Sequence, residues 1–274
     1  PGAWLAGVAL AALLGSFALD VAWLWRNAPS RRRENGFAPY LGLARSIAIY
    51  WLVPGRRAKL DRFYARWVKP GGLAFDVGSH AGNRAASWRR LGAAVVAVEP
   101  QPLFADFLAR LFVDDPNFVL ERAAIGAREG TLTLRVSDRH PTVTSASGDF
   151  VAAAARAPGY ERVVWNRAVE VPMTTLDALI ARHGRPDFVK IDVEGAEAEV
   201  LAGLTERVPA LSFEYAWASK DTALACVERL AGYRFNRSIG ESLEFASETW
   251  MDARALREFL EALTPGDPSG DIYA

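Results

Sequence analysis

A glycine-containing turn follows a short apolar segment early in the chain. Residues 76–83 read DVGSHAGN. Gly78 and Gly82 allow the backbone to turn tightly and approach a ligand, and the start of a predicted helix follows. A nicotinamide dinucleotide fingerprint needs glycine at positions 78, 80 and 83, but this chain has His80 and Asn83 there. A nicotinamide-dependent oxidoreductase is therefore disfavoured, although it stays open as an alternative.

A carboxylate closes the next apolar segment. Glu99 follows Asp76 by 23 residues and ends a second predicted strand. In an open parallel sheet, ligands bind beyond the carboxyl ends of the strands, where the strand order reverses. A carboxylate there can accept hydrogen bonds from both ribose hydroxyls of an adenosine. The alternative interpretation is that Asp76 only caps the turn and Glu99 only ends a strand.

These residues need a sheet to position them, and the chain alternates predicted strands with predicted helices. Strands that are apolar on both faces and are joined by helices indicate a parallel sheet covered on both sides. A hairpin within 232–246, turning at Gly240-Glu241, is expected to close the sheet, and Thr174 to Asp177 to start a helix as a capping box. The predicted strands are 73–77, 94–99, 118–124, 131–136, 188–192 and 210–214, and the predicted helices are 84–91, 104–112, 177–182 and 197–204.

Composition excludes several classes of protein. Lys plus Arg and Asp plus Glu are equal at 32 each, so no overall basic field points to a nucleic-acid partner. Cys226 is the single cysteine, which excludes an internal disulfide and a multi-cysteine zinc site. The three histidines, at 80, 140 and 183, are too scattered to predict a metal site.

The first 36 residues have the pattern of a membrane anchor and its linker. Residues 4–25 are almost continuously apolar, with Asp20 as the one charge, and arginines follow at 26 and 31–33. A helix of this length spans roughly 33 Å, close to the thickness of a bilayer's hydrocarbon core. The arginines predict that the rest of the chain is cytoplasmic. The alternatives are a buried or interfacial helix and a signal peptide. If the helix packs on the rest of the chain, the protein is expected to be soluble and cytoplasmic.

Residues 37–69 are predicted to be a helical lead-in to a domain that spans 70–274. The apolar stretch 37–53 is interrupted by Pro39, Gly42 and Arg45 and does not look able to span a bilayer. A helix lying on the membrane or on the catalytic domain is expected instead. A second helix over 60–68 is expected to stop at Pro70-Gly71-Gly72.

Four ordered motifs resemble the FkbM family of methyltransferases. They are FDVGSHAGN at 75–83, VEPQP at 98–102, VPMTTLD at 171–177 and VKIDVEGAE at 189–197. The resemblance covers roughly residues 56–246. It implies an α/β, Rossmann-like class I methyltransferase fold with a mostly parallel sheet and helices on both faces. It also implies S-adenosylmethionine as cofactor and O-methylation of a hydroxyl on a sugar, polyketide or similar small molecule.

The resemblance implies roles for individual residues of the cofactor site. Asp76, Gly78 and Gly82 would line the methionine and ribose, Glu99 would hold the ribose hydroxyls, and Ala124-Ile125 would border the adenine. The family usually has Ala and Asn where this chain has Ser79 and His80. The expected cofactor-binding residues are Asp76, Gly78, Ser79, His80, Gly82, Asn83, Glu99, Ala124, Ile125 and Asp192.

Three residues are candidates for catalysis. Asp192 should face the sulfonium, where a carboxylate is favourable, and it could accept a proton; the alternative is a cap for the next helix. Glu194 could support the substrate, although a carboxylate in a first helical turn is favoured by the helix dipole in any case. His140 lies in a long polar insertion, 137–167, that is typical of a lid or specificity loop. Its ordinary pKa suits a general base, and the alternative is a solvated bystander.

Methyl transfer mainly requires alignment of the acceptor oxygen with an already activated methyl group, so no metal is expected. The acceptor is expected to be a glycan, glycolipid or lipid-linked intermediate on the cytoplasmic side. A membrane-tethered binding protein that has lost catalysis is the remaining alternative, because Ser79 and His80 depart from the family pattern.

Overall fold

The computed structural model describes residues 38–155 and 162–274. The predicted anchor at 4–25 and the linker at 27–36 lie outside these residues. Within the described ranges, none of the helices combines the length and the apolar character needed to cross a membrane.

Strands and helices alternate along most of the described residues, as the sequence predicts, but three strands within 118–136 follow one another without a helix, and the strand at Arg167–Thr174 was not predicted. The strands are β1 (Leu73–Val77), β2 (Ala94–Val98), β3 (Phe118–Glu121), β4 (Ala124–Ile125), β5 (Gly130–Val136), β6 (Arg167–Thr174), β7 (Phe188–Ile191), β8 (Leu211–Tyr215), β9 (Asn236–Arg237) and β10 (Gly270–Tyr273). The helices are α1 (Ala38–Trp51), α2 (Arg56–Tyr64), α3 (Asn83–Arg90), α4 (Pro102–Leu111), α5 (Gly148–Ala154), α6 (Leu176–His183), α7 (Glu197–Ala202), α8 (Lys220–Arg229) and α9 (Ala253–Glu261).

The larger sheet has seven strands in the order β3-β2-β1-β7-β8-β10-β9. The first five are parallel, and β10 is antiparallel to both of its neighbours. From β1 the chain builds outward to β2 and β3, and it later returns to add β7 and β8 on the other side of β1. The strand order therefore reverses between β1 and β7, and this is the position where an open α/β sheet binds ligands.

Both faces of this sheet are covered, as expected. Phe75 and Val77 on β1 belong to a core that includes α6, α7, α8 and α9. Ala74, on the opposite face of the same strand, belongs to a second core with α2 and α3. Successive strand residues point to opposite faces, so the continuously apolar strands serve both cores. Cys226 is fully buried in the first core.

A smaller sheet has the order β4-β6-β5 and carries the insertion. The predicted strand 118–124 is divided, which corrects the sequence prediction. Glu121 is the last residue that pairs with β2, and Ala124 and Ile125 instead pair in parallel with β6. Because of this division, β4 belongs to the smaller sheet and not to the larger one, and it can border a binding site.

The predicted hairpin at Gly240-Glu241 is wrong. Within 232–246 only Asn236–Arg237 forms a strand, and its partner is β10, from the far C-terminus. Ile272 and Tyr273 of β10 are fully buried, one in each core. Their burial stabilises β10 between β8 and β9, so 232–246 supplies only the short edge strand β9.

The lead-in is helical, and α1 lies on the catalytic domain. Its buried side chains Tyr40, Leu43 and Ile47 pack with Phe104 and Phe107 of α4. This packing agrees with one of the two locations that the sequence left open.

Most helix boundaries differ from those predicted by a few residues, and two of the differences have a local cause. The helix expected to reach Val68 ends at Tyr64, because the chain tightens into a turn in which the Trp67 amide donates to the Tyr64 carbonyl. The N-cap of α6 is Thr175, whose hydroxyl accepts from the Ala178 amide at 3.1 Å, one residue after the predicted Thr174.

Candidate active site

A cavity opens at the carboxyl ends of β1, β2 and β7. It is bordered by the turn after β1, the end of β2, strand β4, the turn after β7, the insertion and α1. Eight of the predicted site residues line it, namely Gly78, His80, Asn83, Glu99, Ala124, Ile125, Asp192 and Glu194.

Asp76, Ser79 and Gly82 were predicted to bind the cofactor, but they do not line the cavity. They support the turn after β1, which does line it. Asp76 is fully buried and accepts a 2.8 Å hydrogen bond from the Ser79 hydroxyl. Gly82 faces α4, where an added Cβ would lie 2.5 Å from Leu108 Cδ2. These residues shape the backbone behind the cavity rather than its surface.

Gly78 is required where two turns touch. Its φ of +82° is in the left-handed region, and an added Cβ would lie 1.9 Å from the Asp192 carbonyl oxygen. Only glycine tolerates both the conformation and the contact. The turns after β1 and β7 therefore meet backbone to backbone at the point where the strand order reverses.

The Glu99 carboxylate is held in place by two main-chain donors. His80 N donates to Oε2 at 2.7 Å and Gln101 N donates to Oε1 at 2.8 Å. Burial raises the pKa of Glu99 to about 7, although both hydrogen bonds favour the charged form. Each oxygen keeps a further lone pair. The carboxylate therefore suits a pair of neighbouring hydroxyl donors.

The structure accommodates histidine where the family usually has asparagine. His80 has a φ of +48°, a left-handed conformation that asparagine and histidine both adopt more readily than most residues. Its ring stacks on Phe104 with centroids 4.2 Å apart, and its Nε2 lies 3.3 Å from Ser46 Oγ. Burial lowers the pKa of His80 to about 3, so the ring is neutral. The departure changes the wall between α1 and α4 and leaves the main-chain hydrogen bond to Glu99 intact.

Asp192 is a fixed negative charge. Its carboxylate lies 2.7 Å from Arg84 Nη2 and 3.4 Å from Lys190 Nζ. Burial opposes ionisation, but Lys190 and Arg84 together outweigh it and lower the pKa of Asp192 to about 2. A carboxylate with so low a pKa is a weak proton acceptor. The geometry therefore suits the electrostatic role expected for Asp192 better than the proton-accepting role.

Lys190 and Arg84 each pair with a second carboxylate. Lys190 is fully buried and lies 2.8 Å from Asp271 Oδ1, as well as near Asp192. Arg84 lies 3.8 Å from Glu241. Sequence reasoning missed Arg84, because a basic residue at the start of a predicted helix gives no sign of a partner more than a hundred residues away.

Two further carboxylates stand close to Asp192 and are not paired with these cations. Glu194 lines the cavity, and Glu214 comes from the neighbouring strand β8. One oxygen from each of Asp192, Glu194 and Glu214 lies within 4.8 Å of the others. Burial, followed by repulsion from the neighbouring acids, raises the pKa of both Glu194 and Glu214 well above its usual range. These two groups therefore keep a proton to a higher pH than Asp192 does.

Sequence reasoning did not select Glu214. Like Asp192, Glu214 is a carboxylate near the end of a predicted strand, and this was the available signal. The pairing of β7 with β8, which makes the two strands neighbours, is decided by the sheet register. No metal was expected, and three neighbouring carboxylates do not by themselves establish a metal site.

Glu197 shapes the turn after β7. Its Oε1 accepts from the amides of Val193 at 3.2 Å and Gly195 at 3.1 Å. This turn presents Glu194, whose φ of +55° is unusual for a residue with a side chain. Glu197 is therefore a positioning residue for Glu194.

The insertion between β5 and β6 covers one side of the cavity. Thr142 and Thr144 line it, and the Thr144 hydroxyl donates to Gln101 Oε1 at 3.1 Å. The Ser145 hydroxyl donates to the Glu194 carbonyl at 2.6 Å, which joins the insertion to the turn after β7. The described part of the insertion therefore borders the cavity, and its role as a lid or specificity loop stays a prediction.

His140 is in the insertion but not in the cavity lining. Partial burial, with Arg45 and Arg139 nearby, lowers the pKa of His140. The structure therefore does not bring His140 together with Asp192 and Glu194, and a general-base role for it gains no support.

The lead-in helix α1 also contributes to the site. Tyr50 lines the cavity, and Trp51 Nε1 donates to the Ala81 carbonyl of the glycine turn at 2.9 Å. Burial, followed by the charge of Glu241, raises the pKa of Tyr50. Neither residue was selected from the sequence, because α1 precedes all four motifs.

Comparison with known proteins identifies one family. A sequence model described as the methyltransferase FkbM domain matches residues 76–264. A search of curated proteins finds no match to this chain.

Solved structures that align with the chain include several methyltransferases. A TehB-like S-adenosylmethionine-dependent methyltransferase from Corynebacterium glutamicum is 11% identical, with 90% of this chain and 99% of that chain covered and a TM-score of 0.42. A precorrin-6Y C5,15-methyltransferase from Geobacter metallireducens is 13% identical, with 80% and 86% covered and a TM-score of 0.40. At TM-scores this low, these likenesses carry no argument about function.

Proposed function

This chain belongs to the FkbM family of S-adenosylmethionine-dependent methyltransferases, and we propose that it methylates a hydroxyl oxygen of a sugar, glycolipid or other lipid-linked small molecule. We choose a hydroxyl acceptor because of Glu194. Its carboxylate has a raised pKa and lines the cavity beside the fixed charge of Asp192. A hydroxyl acceptor loses its proton during methylation, so a nearby base of suitable pKa is useful.

The cavity fits the cofactor that the family uses. Glu99 offers two carboxylate oxygens to the ribose hydroxyls, and the apolar side chains of Ala124 and Ile125 offer a surface for the adenine. Asp192 offers a negative charge toward the sulfonium. When bound, S-adenosylmethionine supplies an activated methyl group, and the residues of the chain align the acceptor with it.

Glu194 takes the proton from the acceptor hydroxyl. Its raised pKa comes from burial and from the neighbouring acids, chiefly Glu214 and Asp192. Asp192 remains ionised because of Lys190 and Arg84, so it keeps its charge while Glu194 is protonated and deprotonated. The division of roles between the two carboxylates follows from their different partners.

The polar lining favours an acceptor with several hydroxyl groups. Thr142, Thr144 and Gln101 offer hydroxyl and amide groups on the side of the cavity formed by the insertion and the end of β2. Such groups can both donate to and accept from a sugar. An acceptor with a sugar ring therefore matches this wall better than a purely apolar one.

Calorimetric titration of S-adenosylmethionine, and separately of NADH, tests the cofactor. We expect S-adenosylmethionine to bind and NADH not to bind. Glu99→Gln should weaken the binding, whereas Glu121→Gln should not, because Glu121 pairs with His183 and lies outside the cavity lining. Preference for NADH, or equal loss in both variants, would contradict the proposed site.

A methyl-transfer assay with isotopically labelled S-adenosylmethionine tests the acceptor. The panel contains free sugars, glycosides, glycolipids and, for comparison, thiols and amines. We expect label in a base-stable methyl ether of a sugar-containing acceptor, with the transfer strongly reduced in Glu194→Gln. Transfer only to thiols or amines would contradict O-methylation while leaving the cofactor site intact.

A further inference from the structure

Helix α1 has an apolar face that the catalytic domain does not cover. Its inner face packs on α4, but Leu41, Ile49 and Val53 are exposed by 57%, 41% and 46%. Leu41, Arg45 and Ile49 recur every four positions and therefore follow one side of the helix, and Val53 lies two residues beyond the end of the helix. We call Leu41, Arg45, Ile49 and Val53 the outer stripe.

The outer stripe stands out among the residues that the structure describes. The other large apolar side chains that are exposed among the described residues are Val113, Val119, Val164 and Ile239, which lie on separate segments. Isolated apolar side chains on a surface are ordinary and need no explanation. Two on one side of α1, with a third just beyond its end, indicate a surface that is covered by a partner.

The charged residues of the segment that carries the stripe are all basic. Between residues 35 and 60 the chain has no acidic residue, but it has Arg45, Arg56, Arg57 and Lys59. Arg56 and Lys59 pair with glutamates of the domain, whereas Arg45 and Arg57 are exposed. An exposed apolar stripe flanked by arginine is the pattern of a helix that lies in the headgroup region of an anionic bilayer.

The position of α1 in the sequence also favours a membrane as the partner of the outer stripe. The apolar segment 4–25 ends 12 residues before α1 begins, and arginines at 31–33 lie between them. Even fully extended, 12 residues reach only about 40 Å. If 4–25 enters a membrane, as its composition predicts, α1 stays close to the surface of that membrane.

We propose that the outer stripe of α1 lies on the surface of an anionic lipid bilayer, with the apolar side chains toward the acyl chains and Arg45 reaching the phosphates. A second copy of the chain is a poorer occupant, because three side chains interrupted by an arginine form a small contact for a stable dimer.

The inference deepens the proposed function and rests on it, because it selects the lipid-linked acceptors within the proposed class. Tyr50 follows Ile49 directly and lines the cavity. The same turn of α1 therefore contacts the membrane through Ile49 and the acceptor cavity through Tyr50. An acceptor whose sugar lies at the bilayer surface is then presented beside the cavity wall.

Site-specific fluorescence on the whole chain tests the contact. Cys226 is fully buried and burial raises the pKa of its thiol, so an introduced surface cysteine is labelled selectively. Ile49→Cys and Val119→Cys carry the same environment-sensitive fluorophore. Ile49 and Val119 have similar exposed fractions, 41% and 39%, and Val119 lies on the edge strand β3. Each labelled protein is mixed with vesicles of phosphatidylglycerol and phosphatidylcholine.

We expect a blue shift of the fluorophore at 49, and quenching by nitroxide-labelled lipid, with no change at 119. Arg45→Gln should weaken the vesicle affinity by about fivefold, since one surface arginine contributes about 1 kcal/mol of attraction to anionic lipid. Vesicle-bound protein with an unshifted fluorophore at 49 would overturn the inference, because the membrane would then be held elsewhere. A shift at 49 that depends on protein concentration without vesicles would overturn it in favour of a second copy.

Titration of S-adenosylmethionine into the labelled proteins separates this inference from the proposed function. Loss of cofactor binding with a retained shift at 49 would contradict the methyltransferase site alone. Retained binding without the shift would contradict the membrane contact alone.

Discussion

Arg84 Nη2 lies 2.7 Å from the Asp192 carboxylate, although Arg84 is in the first turn of the helix after β1 and Asp192 follows β7. The pair joins the two halves of the sheet at the position where the strand order reverses. Both side chains are mostly buried, at 11% and 19% exposed. Because Lys190 and Arg84 together hold Asp192 ionised, the neighbouring Glu194 is left as the carboxylate that can exchange a proton.

Replacing Asp192 by asparagine should cost stability, because Arg84 and Lys190 would lose a buried partner. We expect a loss of about 3–5 kcal/mol in the free energy of unfolding at pH 7, measured by urea denaturation. Glu258→Gln is the matched control, because its pair with Arg254 is exposed, and it should cost no more than about 0.5 kcal/mol.

The cost of the Asp192→Asn change should depend on pH. The pKa of Asp192 is lowered to about 2 in the folded protein, below its value in an unfolded chain. Its contribution to stability is therefore present above about pH 4 and is lost as the pH falls toward 2. A difference between wild type and variant that stays constant over this range would argue against the ion pair as its cause.

Glu99→Gln should weaken S-adenosylmethionine binding by about 10- to 100-fold, the usual cost of losing hydrogen bonds to a charged acceptor. The wild-type affinity should also fall as the pH drops below about 7, because protonation of Glu99 removes the charge that the hydroxyl donors favour.

Binding should consequently release protons near neutral pH. Calorimetry in buffers of different ionisation enthalpy measures the number released, and Glu99→Gln should release fewer. An unchanged proton count in the variant would mean that another group titrates on binding.

Glu194→Gln should lower kcat by about 10²- to 10⁴-fold, the usual contribution of a general base. The dissociation constant for S-adenosylmethionine should change little, because Glu99 and the glycine turn remain. In the wild type, kcat should rise with pH as Glu194 loses its proton, at a pH well above the usual range of a carboxyl group. A glutamine variant with the same pH profile as wild type would exclude Glu194 as the base.

Gly78→Ala should abolish cofactor binding and destabilise the protein, since the new Cβ would lie 1.9 Å from the Asp192 carbonyl oxygen. Gly71→Ala is the matched control: its φ is also in the left-handed region, at +76°, but an added Cβ has no neighbour within 4 Å. The control should lose only about 1–2 kcal/mol in the free energy of unfolding, which is the cost of a side chain in the left-handed conformation. It should keep its affinity for S-adenosylmethionine. Thermal unfolding and calorimetry measure both effects; equal losses in the two variants would exclude the steric contact as the cause.

Much of the larger sheet could be predicted from the sequence. The strands β1, β2, β7 and β8 lie within one residue of their predicted bounds, because runs of apolar residues bounded by turn residues are a local signal. Strand β10, which lies between β8 and β9, was missed, since Gly270–Tyr273 is short and only its partner strands identify it.

The sequence by itself determined the glycine turn, Glu99 at the end of β2 and Asp192 at the end of β7, because strand ends and tight turns are written in neighbouring residues. Tertiary structure decided what these residues face. It paired Asp192 with Arg84, brought Glu214 beside Glu194, left His140 outside the cavity and brought Tyr50 into its wall. Such contacts depend on sheet register and helix packing between distant segments, which no local pattern of residues encodes.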